Sequence, residues 1–230
     1  GNAAGTRSLG PAWSPDGTRI AFYSALPALV PGDTNNSGDV FVKTLSSGAI
    51  QRISTNSVGT QSQGASPRYA NSPTSWSYDG LQVAFESEAT DLVTGDTNGS
   101  RDVFVKTLAT GAIQRVSTDS NGTQANGDSN QPEFSPADGT IAFRSDASNL
   151  VPDDTNSDAD VFVKTPATGS IQIVSANAAG IQGNDSSYGP RWSPDGTRIA
   201  FESWAGNLVP GWPTGTVHLY VKTLADGAIQ

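Results

Sequence analysis

The sequence predicts an all-β fold, a β-propeller of four repeated four-stranded antiparallel blades, of which the last is incomplete. Three observations favour it. A segment built on Asp-Val-Phe-Val-Lys-Thr recurs along the 230 residues, each copy is followed by a glycine turn, and 25 glycines and 14 prolines suit short strands joined by turns. Four strands in each repeat, at a period of about 40 to 60 residues, are typical of a propeller blade.

Each repeat opens with a predicted hairpin. In the first repeat a Pro-Asp-Gly turn joins a short strand that ends near Trp13 to a strand over Arg19–Ser24. We expect residues 1–10 to be linker rather than strand, and a five-residue insertion around Tyr69–Thr74. The aromatic residues at the end of the first strands, spaced by 63, 58 and 58 residues, should pack in the core between blades; they are Trp13, Trp76, Phe134 and Trp192.

The second half of each repeat supplies two more strands. In the first copy these are a strand around Val40–Val42 and, after a turn at Gly48, a strand over Ile50–Ser54; the later fourth strands are Ile113–Ser117 and Ile171–Ser175. The last repeat stops at Gln230, so its outer strand is cut short. We expect one propeller domain over residues 1–230, with repeats at approximately 11–66, 67–129, 130–187 and 188–230.

Three of the four repeats carry a loop with oxygen-bearing side chains at alternate positions. Calcium takes six to eight oxygen ligands, and a loop of the form Asp-x-Asn-x-(Ser/Asp)-x-Asp offers several of them in a short turn. We therefore predict about three structural Ca²⁺ ions per chain. The candidate ligands are Asp33, Asn35, Ser37 and Asp39 in the first loop, Asp96, Asn98, Ser100 and Asp102 in the second, and Asp154, Asn156, Asp158 and Asp160 in the third.

These loops are not EF-hands, and a reading without any ion stays open. The position at which an EF-hand has its bidentate Glu is held by Thr44, Thr107 and Thr165. Asp, Asn and Ser favour turns by themselves, which is the alternative. Against it stands the repulsion among carboxylates that have no Lys or Arg at the alternating positions. In the fourth repeat Trp212–His218 replaces every acidic position, and we expect no ion there.

The repeat motifs resemble a known family. W-S-P-D-G-T-R-I-A-F from Trp13, L-V-P-G-D-T-N from Leu29, D-V-F-V-K-T-L from Asp39 and G-A-I-Q-R-I-S from Gly48 are similar to the TolB-like, WD-type β-propeller repeats of secreted and periplasmic bacterial proteins. The resemblance covers nearly the whole chain and implies the propeller fold. Such propellers serve as scaffolds, binding platforms and enzyme domains, so the resemblance does not select a function.

The charge and composition of the chain argue against several classes of function. A net charge of −9 disfavours a nucleic-acid partner held through its phosphates. The chain has no cysteine, so it has no disulfide, thiolate metal site or cysteine nucleophile. No apolar run approaches the roughly 20 residues of a membrane span. His218 is the single histidine and is expected to be an ordinary surface residue rather than part of a Ser-His-Asp triad.

Two sets of residues keep other functions open. The four glutamates, Glu86, Glu88, Glu133 and Glu202, fall at largely non-equivalent positions, and no motif supports a glycosidase pair among them. Trp204 and Trp212 add two aromatics to the loop region of one blade, where they would stack on a sugar, contact a protein, or fill the space of a lost ion.

We therefore predict a non-catalytic, calcium-stabilised interaction module that is secreted, periplasmic or at the cell surface. Its partner would be another protein or copies of itself, bound through the interrupted last blade, because an unpaired strand edge is a template for another chain. The alternatives are a carbohydrate-binding propeller that uses Trp204 and Trp212, and a fragment of a polysaccharide-acting enzyme.

Overall fold

The computed structural model describes residues 7–66, 74–212 and 215–230, and the regular structure in these residues is β-strand. No helix in this part of the chain is long and apolar enough to cross a membrane. The strands are β1 (Ser8–Trp13), β2 (Arg19–Ser24), β3 (Asp39–Thr44), β4 (Ile50–Arg52), β5 (Ser75–Trp76), β6 (Gln82–Ser87), β7 (Asp102–Thr107), β8 (Ile113–Arg115), β9 (Ser129–Phe134), β10 (Ile141–Ser145), β11 (Asp160–Lys164), β12 (Ile171–Ile173), β13 (Ser187–Trp192), β14 (Arg198–Ser203) and β15 (His218–Thr223).

These strands form four antiparallel sheets in simple chain order: β1 to β4, β5 to β8, β9 to β12, and β13 to β15. In the last sheet the chain after β15 pairs with it, since the Val221 N–H donates to the Gln230 carbonyl (2.9 Å) and the Thr223 N–H to the Ala228 carbonyl (2.8 Å). The predicted all-β architecture, with four repeated blades and an incomplete last one, is confirmed.

The chain divides into two compact units, Gly1–Val116 and Ser117–Gln230. The first unit holds the sheets β1–β4 and β5–β8, and the second holds β9–β12 and β13–β15. The single domain and the repeat bounds that we predicted from the sequence stay predictions.

The two middle strands of each blade form its core, and their register places the loop aspartates. Phe22 lies opposite Phe41 in β2 and β3, and the corresponding ring pairs in all four blades have centroids 5.7 to 6.1 Å apart. Two residues further along, Ser24 lies opposite Asp39. The last aspartate of each acidic loop is therefore also the first residue of a buried strand.

Lysine and tryptophan side chains join neighbouring blades within each unit. In the first unit the Trp76 Nε1–H donates to the Ala12 carbonyl (3.0 Å). The buried Lys106 Nζ donates to the Thr55 carbonyl (2.7 Å), the Thr55 hydroxyl (2.9 Å) and the Asn56 carbonyl (2.9 Å). In the second unit the equivalent donors are Trp192, Lys164 and Lys222.

Trp13 differs from its counterparts. Its side chain is 61% exposed, whereas Trp76 is 7% exposed. Trp76 packs back onto the preceding blade, and no described blade precedes Trp13. The expectation that this aromatic packs between blades therefore holds for Trp76 but not for Trp13.

Several strand bounds differ from the sequence predictions. β1 begins at Ser8, inside the stretch predicted as linker, because the strand continues past a bulge at Gly10 (φ 60°). The same bulge occurs at Gly189 and at Gln131, each followed by proline. The fourth strands end two residues earlier than predicted. Most of the predicted insertion, residues 69–73, lies outside the described residues.

Candidate cation-binding loops

Each of the three acidic loops is closed by an asparagine side chain. The loops are defined here as residues 33–39 (first loop), 96–102 (second loop) and 154–160 (third loop). The Asn35 Oδ1 accepts a hydrogen bond from the Ser37 N–H (2.9 Å), and Asn98 and Asn156 accept the corresponding bonds at 2.9 and 2.8 Å. Left-handed residues such as Asn36 (φ 54°) follow them. This is an Asx turn, the structure that these residues were expected to form if no ion is bound.

A glutamine joins the two aspartates at the ends of the first loop. The Gln61 Nε2 donates to Asp33 Oδ1 (2.8 Å) and to Asp39 Oδ2 (3.0 Å). The Ser54 hydroxyl donates to Asp39 Oδ1 (2.6 Å), and Asp39 is fully buried. The first and last positions of the predicted ligand set are therefore brought together by one amide group.

The third loop repeats this arrangement. The Gln182 Nε2 lies 2.7 Å from both Asp154 Oδ1 and Asp160 Oδ2, and the Ser175 hydroxyl donates to Asp160 Oδ1 (2.5 Å). The Asn156 Nδ2 adds a bond to Asp160 Oδ2 (3.1 Å). Each oxygen of the fully buried Asp160 thus has at least one protein donor.

Burial changes the protonation behaviour of these carboxyl groups. In the first loop burial raises the pKa of Asp39, although the Ser54 hydrogen bond and the Arg52 charge oppose the shift. In the third loop burial raises the pKa of Asp160 to about 6, and the nearby Asp154 charge adds to the shift. Burial also raises the pKa of Asp154. The carboxyl groups of the third pair therefore carry a desolvation cost, and no lysine or arginine in the described part of the chain forms an ion pair with them.

An arginine from the fourth strand stands beside the aspartates of the first loop. Arg52 Nε lies 3.1 Å from Asp39 Oδ2 and Arg52 Nη2 lies 3.7 Å from Asp33 Oδ1. The Arg52 Nη1 also donates to the Gly32 carbonyl (3.4 Å). The guanidinium therefore contacts both ends of the loop and the carbonyl just before it.

The second loop holds an arginine in the same way. Arg115 Nη1 lies 3.3 Å from Asp96 Oδ1 and 3.4 Å from Asp102 Oδ2, and its Nη2 donates to the Gly95 carbonyl (3.2 Å). Both arginines lie on the strand beside a core phenylalanine, at the register positions Phe41–Arg52 and Phe104–Arg115.

The third loop has no such arginine, because Ile173 occupies the position opposite Phe162. The Asp154 Oδ2 is a buried atom and has no hydrogen-bond partner among residues 7–66, 74–212 and 215–230. Two further differences between the repeats add carboxylates. Asp153 takes the position of Gly32, just before the first loop, and Asp158 takes the position of Ser37. The third loop and its preceding residue carry four carboxylates, and none of them forms an ion pair within the described part of the chain.

A cavity of about 570 Å³ lies beside the third loop. One part of its wall is apolar, from Val151, Pro152, Ile173 and Ile181. The polar part includes Asp153, Asn156 and Gln182. Asn156 and Gln182 donate hydrogen bonds to the loop aspartates, which do not line the cavity themselves. The cavity adjoins Ile173, which takes the position of the arginine of the other loops.

The middle positions of the predicted ligand sets are used within the protein. The Asn35 Nδ2 donates to the Ser62 carbonyl (2.7 Å), while the Ser37 hydroxyl donates to the Asn35 carbonyl (3.4 Å). Asp158 Oδ1 accepts from the Ser186 hydroxyl (3.3 Å). No cluster of three or more His, Asp or Glu side chains suited to a metal ion occurs in residues 7–66, 74–212 and 215–230.

In the fourth repeat the rings of Trp212, His218 and Tyr220 pack against one another. The Trp212 ring centroid lies 5.0 Å from that of Tyr220 and 4.7 Å from that of His218. His218 is half-buried and shares a hydrogen bond with the Thr216 hydroxyl (2.8 Å). Trp212 therefore packs within its own loop, whereas Trp204 is 39% exposed. Pro213 and Thr214 lie outside the described residues.

Three of the four glutamates form ion pairs with arginines. Glu86 is buried, and its Oε1 lies 3.5 Å from Arg101 Nη1. Glu133 Oε2 lies 3.6 Å from Arg191 Nη1, and burial raises the pKa of this glutamate despite the arginine charge. Glu88 lies 3.6 Å from Arg101 Nη2.

The residues that contact the loop aspartates were not predicted, although they recur with the repeats of the sequence. Gln61, Gln124 and Gln182 recur with the spacing of the repeats, and so do Arg52, Arg115 and Ile173. The arginine lies 19 residues after the first aspartate of its loop, so inspection of the loop alone could not find the compensating charge.

Comparison with known proteins identifies the fold. No protein-family model and no curated protein matches the sequence. TolB from Acinetobacter baumannii superposes with a TM-score of 0.60 at 19% identity, over 98% of this chain and 43% of that one. An oligogalacturonate lyase in complex with manganese gives 0.61 at 13% identity, over 100% of this chain and 54% of that one. A prolyl endopeptidase gives 0.56 at 14% identity, over 96% and 27%.

The chain spans about half the length of the first two of these proteins. The similarity is one of fold, and the fold is shared by TolB and by enzymes. The chain therefore has the β-propeller fold of TolB-like proteins, as its repeat motifs predicted.

Proposed function

We propose that this propeller is a non-catalytic interaction module that recognises a cationic group of its partner through the third loop. One observation carries the proposal: the buried Asp160 and the half-buried Asp154 lie next to a cavity and form no ion pair within the described residues, while the first and second loops hold an arginine beside the corresponding pair. We place the protein in the periplasm or outside the cell, because its repeats resemble those of secreted and periplasmic proteins.

Removal of a carboxylate from water costs free energy, which hydrogen-bond donors offset in part and a positive charge offsets further. The third pair has donors from Gln182, Ser175 and Asn156, but Asp154 Oδ2 has none within the described residues. In the first loop Arg52 supplies that charge from within the chain. In the third loop the positive charge would come from the partner. Its binding would reduce the desolvation cost of the carboxylates and would select strongly for cationic groups.

A non-catalytic role is supported by how the other acids are used. Glu86, Glu133 and Asp39 each lie beside an arginine. The lyase and the peptidase of the same fold show that a propeller can belong to an enzyme, but the fold by itself carries no chemistry. A catalytic role within a longer polysaccharide-acting protein remains the alternative.

Calcium is part of the proposal at one loop. Ca²⁺ needs oxygen ligands at about 2.3–2.6 Å. The third loop fits it best, because Asp154 Oδ2 has no hydrogen-bond partner within the residues that the structure describes and Asp158 adds a carboxylate. In the first and second loops an ion would have to displace Arg52 or Arg115, so calcium there stays a prediction from the sequence alone.

The other partners also stay predictions. Assembly through the last blade rests on the short outer strand after β15. Glycan binding would have to rely on Trp204, since Trp212 packs against Tyr220 and His218.

Thermal unfolding tests the proposal. The protein is measured with CaCl₂, with a blocked tripeptide that contains lysine and with one that contains arginine. We expect at least one of these cations to raise the Tm by a few degrees at saturating concentration, by mass action, and Asp154→Asn to remove the response. Asp96→Asn in the second loop is the matched control and should keep it. A wild-type Tm that responds to none of the three, or an unchanged response in Asp154→Asn, would contradict the proposal.

A further inference from the structure

We infer that the group bound by the third loop is a guanidinium, the side chain of an arginine on a partner protein. This inference rests on the proposed function and names its ligand chemistry. The repeats themselves supply the template, because the first and second loops hold a guanidinium with the same pair of aspartates.

The counterpart atoms of that template are present in the third blade. The guanidinium of Arg52 contacts two carboxylates and the Gly32 carbonyl, and that of Arg115 contacts two carboxylates and the Gly95 carbonyl. The corresponding groups in the third blade are Asp154, Asp160 and the carbonyl of Asp153. No arginine of the described residues meets these groups, because β12 ends in Ile173 where β4 and β8 end in arginine.

The cavity suits a long side chain with a charged end. Val151, Pro152, Ile173 and Ile181 give it an apolar wall on which the methylene stem of an arginine could pack. At the other part of the wall, Asn156 donates to Asp160 and Gln182 donates to both aspartates. The two aspartates do not line the cavity themselves, so the charged end of the arginine has to pass these amides to reach the carboxylates. A calcium ion would leave the apolar wall without a partner.

The geometry also favours arginine over lysine. A guanidinium is planar, is more weakly hydrated than an ammonium and donates several hydrogen bonds at once, so it can contact two carboxylates and a carbonyl together. A lysine ammonium would carry the same charge but would lose more hydration on burial. The exposed Asp153, at the cavity wall, adds negative potential at the entrance.

The test is titration of blocked Gly-Arg-Gly, blocked Gly-Lys-Gly and CaCl₂ into the ¹⁵N-labelled protein, followed by NMR. We expect the arginine peptide to shift the side-chain amide signals of Gln182 at millimolar concentration and to bind at least about tenfold more tightly than the lysine peptide, a difference of about 1.4 kcal/mol. Asp154→Asn should weaken the binding of the arginine peptide by about tenfold. Ile173→Arg should abolish its binding, because the new side chain would occupy the site from within.

The outcomes separate this inference from the proposed function. If the lysine peptide or Ca²⁺ binds the third loop as tightly as the arginine peptide, the guanidinium inference is wrong while cation recognition stands. If none of the three probes perturbs Gln182, both fail. Full binding to Ile173→Arg, a variant expected to fold well, would also overturn the inference, whatever the stability of Asp154→Asn.

Discussion

Arg52 Nε lies 3.1 Å from Asp39 Oδ2, and this ion pair is almost fully removed from solvent, with side chains 8% and 0% exposed. Removing one member of a buried pair leaves an uncompensated charge, which typically costs about 3–5 kcal/mol. We therefore expect Arg52→Met to lower the free energy of unfolding by an amount in that range, measured by urea denaturation. A loss below about 1 kcal/mol would mean that Gln61 and Ser54 already stabilise Asp39 sufficiently.

The reverse change in the third blade should stabilise the protein. Ile173→Arg places a guanidinium beside Asp154 and Asp160, where burial raises the pKa of both carboxyl groups. Hydrogen bonds to charged groups contribute about 1.5–3 kcal/mol. We expect a gain in unfolding free energy toward the lower end of that range at pH 7. Ile173→Met, which adds length without charge, is the control and should give no such gain.

The bridging glutamines should differ in importance between the loops. Gln182→Leu removes the amide donor to Asp154 and Asp160, and Gln61→Leu does the same for Asp33 and Asp39. Leaving a buried polar group unsatisfied costs about 1–3 kcal/mol. Because Arg52 remains beside the first pair, we expect the larger loss of stability in Gln182→Leu. Equal losses in urea denaturation would show that Arg52 does not compensate.

The sequence predicted the blades better than the site. Strand β2 was predicted at its observed bounds, Arg19–Ser24, because a Pro-Asp-Gly turn precedes a short run of apolar and aromatic residues. The loop aspartates were also found, since their spacing is local. Their partners could not be found locally: Arg52 and Gln61 come from the fourth strand and the turn after it, and only the folded blade brings them to the loop.

The linker prediction for residues 1–10 was wrong at positions 8–10, for a similar reason, while residues 1–6 lie outside the described residues. Gly10 and Pro11 are turn signals in isolation, but here they form a bulge within a strand that starts at Ser8. Gln131 shows that the bulge does not need glycine, because it adopts the same left-handed backbone (φ 54°) and its Oε1 accepts a hydrogen bond from the Gly189 N–H (2.9 Å).

The tryptophans offer a matched pair of substitutions. Trp76→Phe keeps an aromatic ring between the blades but removes the N–H donor to the Ala12 carbonyl. We expect a loss of about 1 kcal/mol or more, part of it from the hydrogen bond and part from the smaller ring. Trp13→Phe changes an exposed side chain and should stay within about 0.5 kcal/mol of wild type. Similar effects in thermal denaturation would contradict the different roles of these two residues.

We expect the contribution of Lys106 to the free energy of unfolding to rise with pH in the alkaline range. Burial lowers the pKa of its ammonium from 10.5 to about 8. Between pH 8 and 10.5 the folded chain therefore holds fewer protons than the unfolded chain at this residue, so its contribution to the unfolding free energy increases with pH. The three partners, the Thr55 carbonyl and hydroxyl and the Asn56 carbonyl, do not titrate in this range. A neutral amine can still donate to two of them and can accept a hydrogen bond from the Thr55 hydroxyl.

Comparison with Lys106→Met isolates this contribution. The variant loses three hydrogen bonds and leaves buried acceptors unsatisfied, so it should be less stable than wild type at every pH, by roughly 1–3 kcal/mol at pH 7. The other buried lysines, Lys164 and Lys222, are present in both proteins and cancel in the difference. We expect the stability gap between wild type and variant, from urea denaturation at fixed ionic strength, to widen as the pH rises from about 8 to 10.5. A gap that stays constant or narrows over this range would show that the folded protein does not depress the pKa of Lys106.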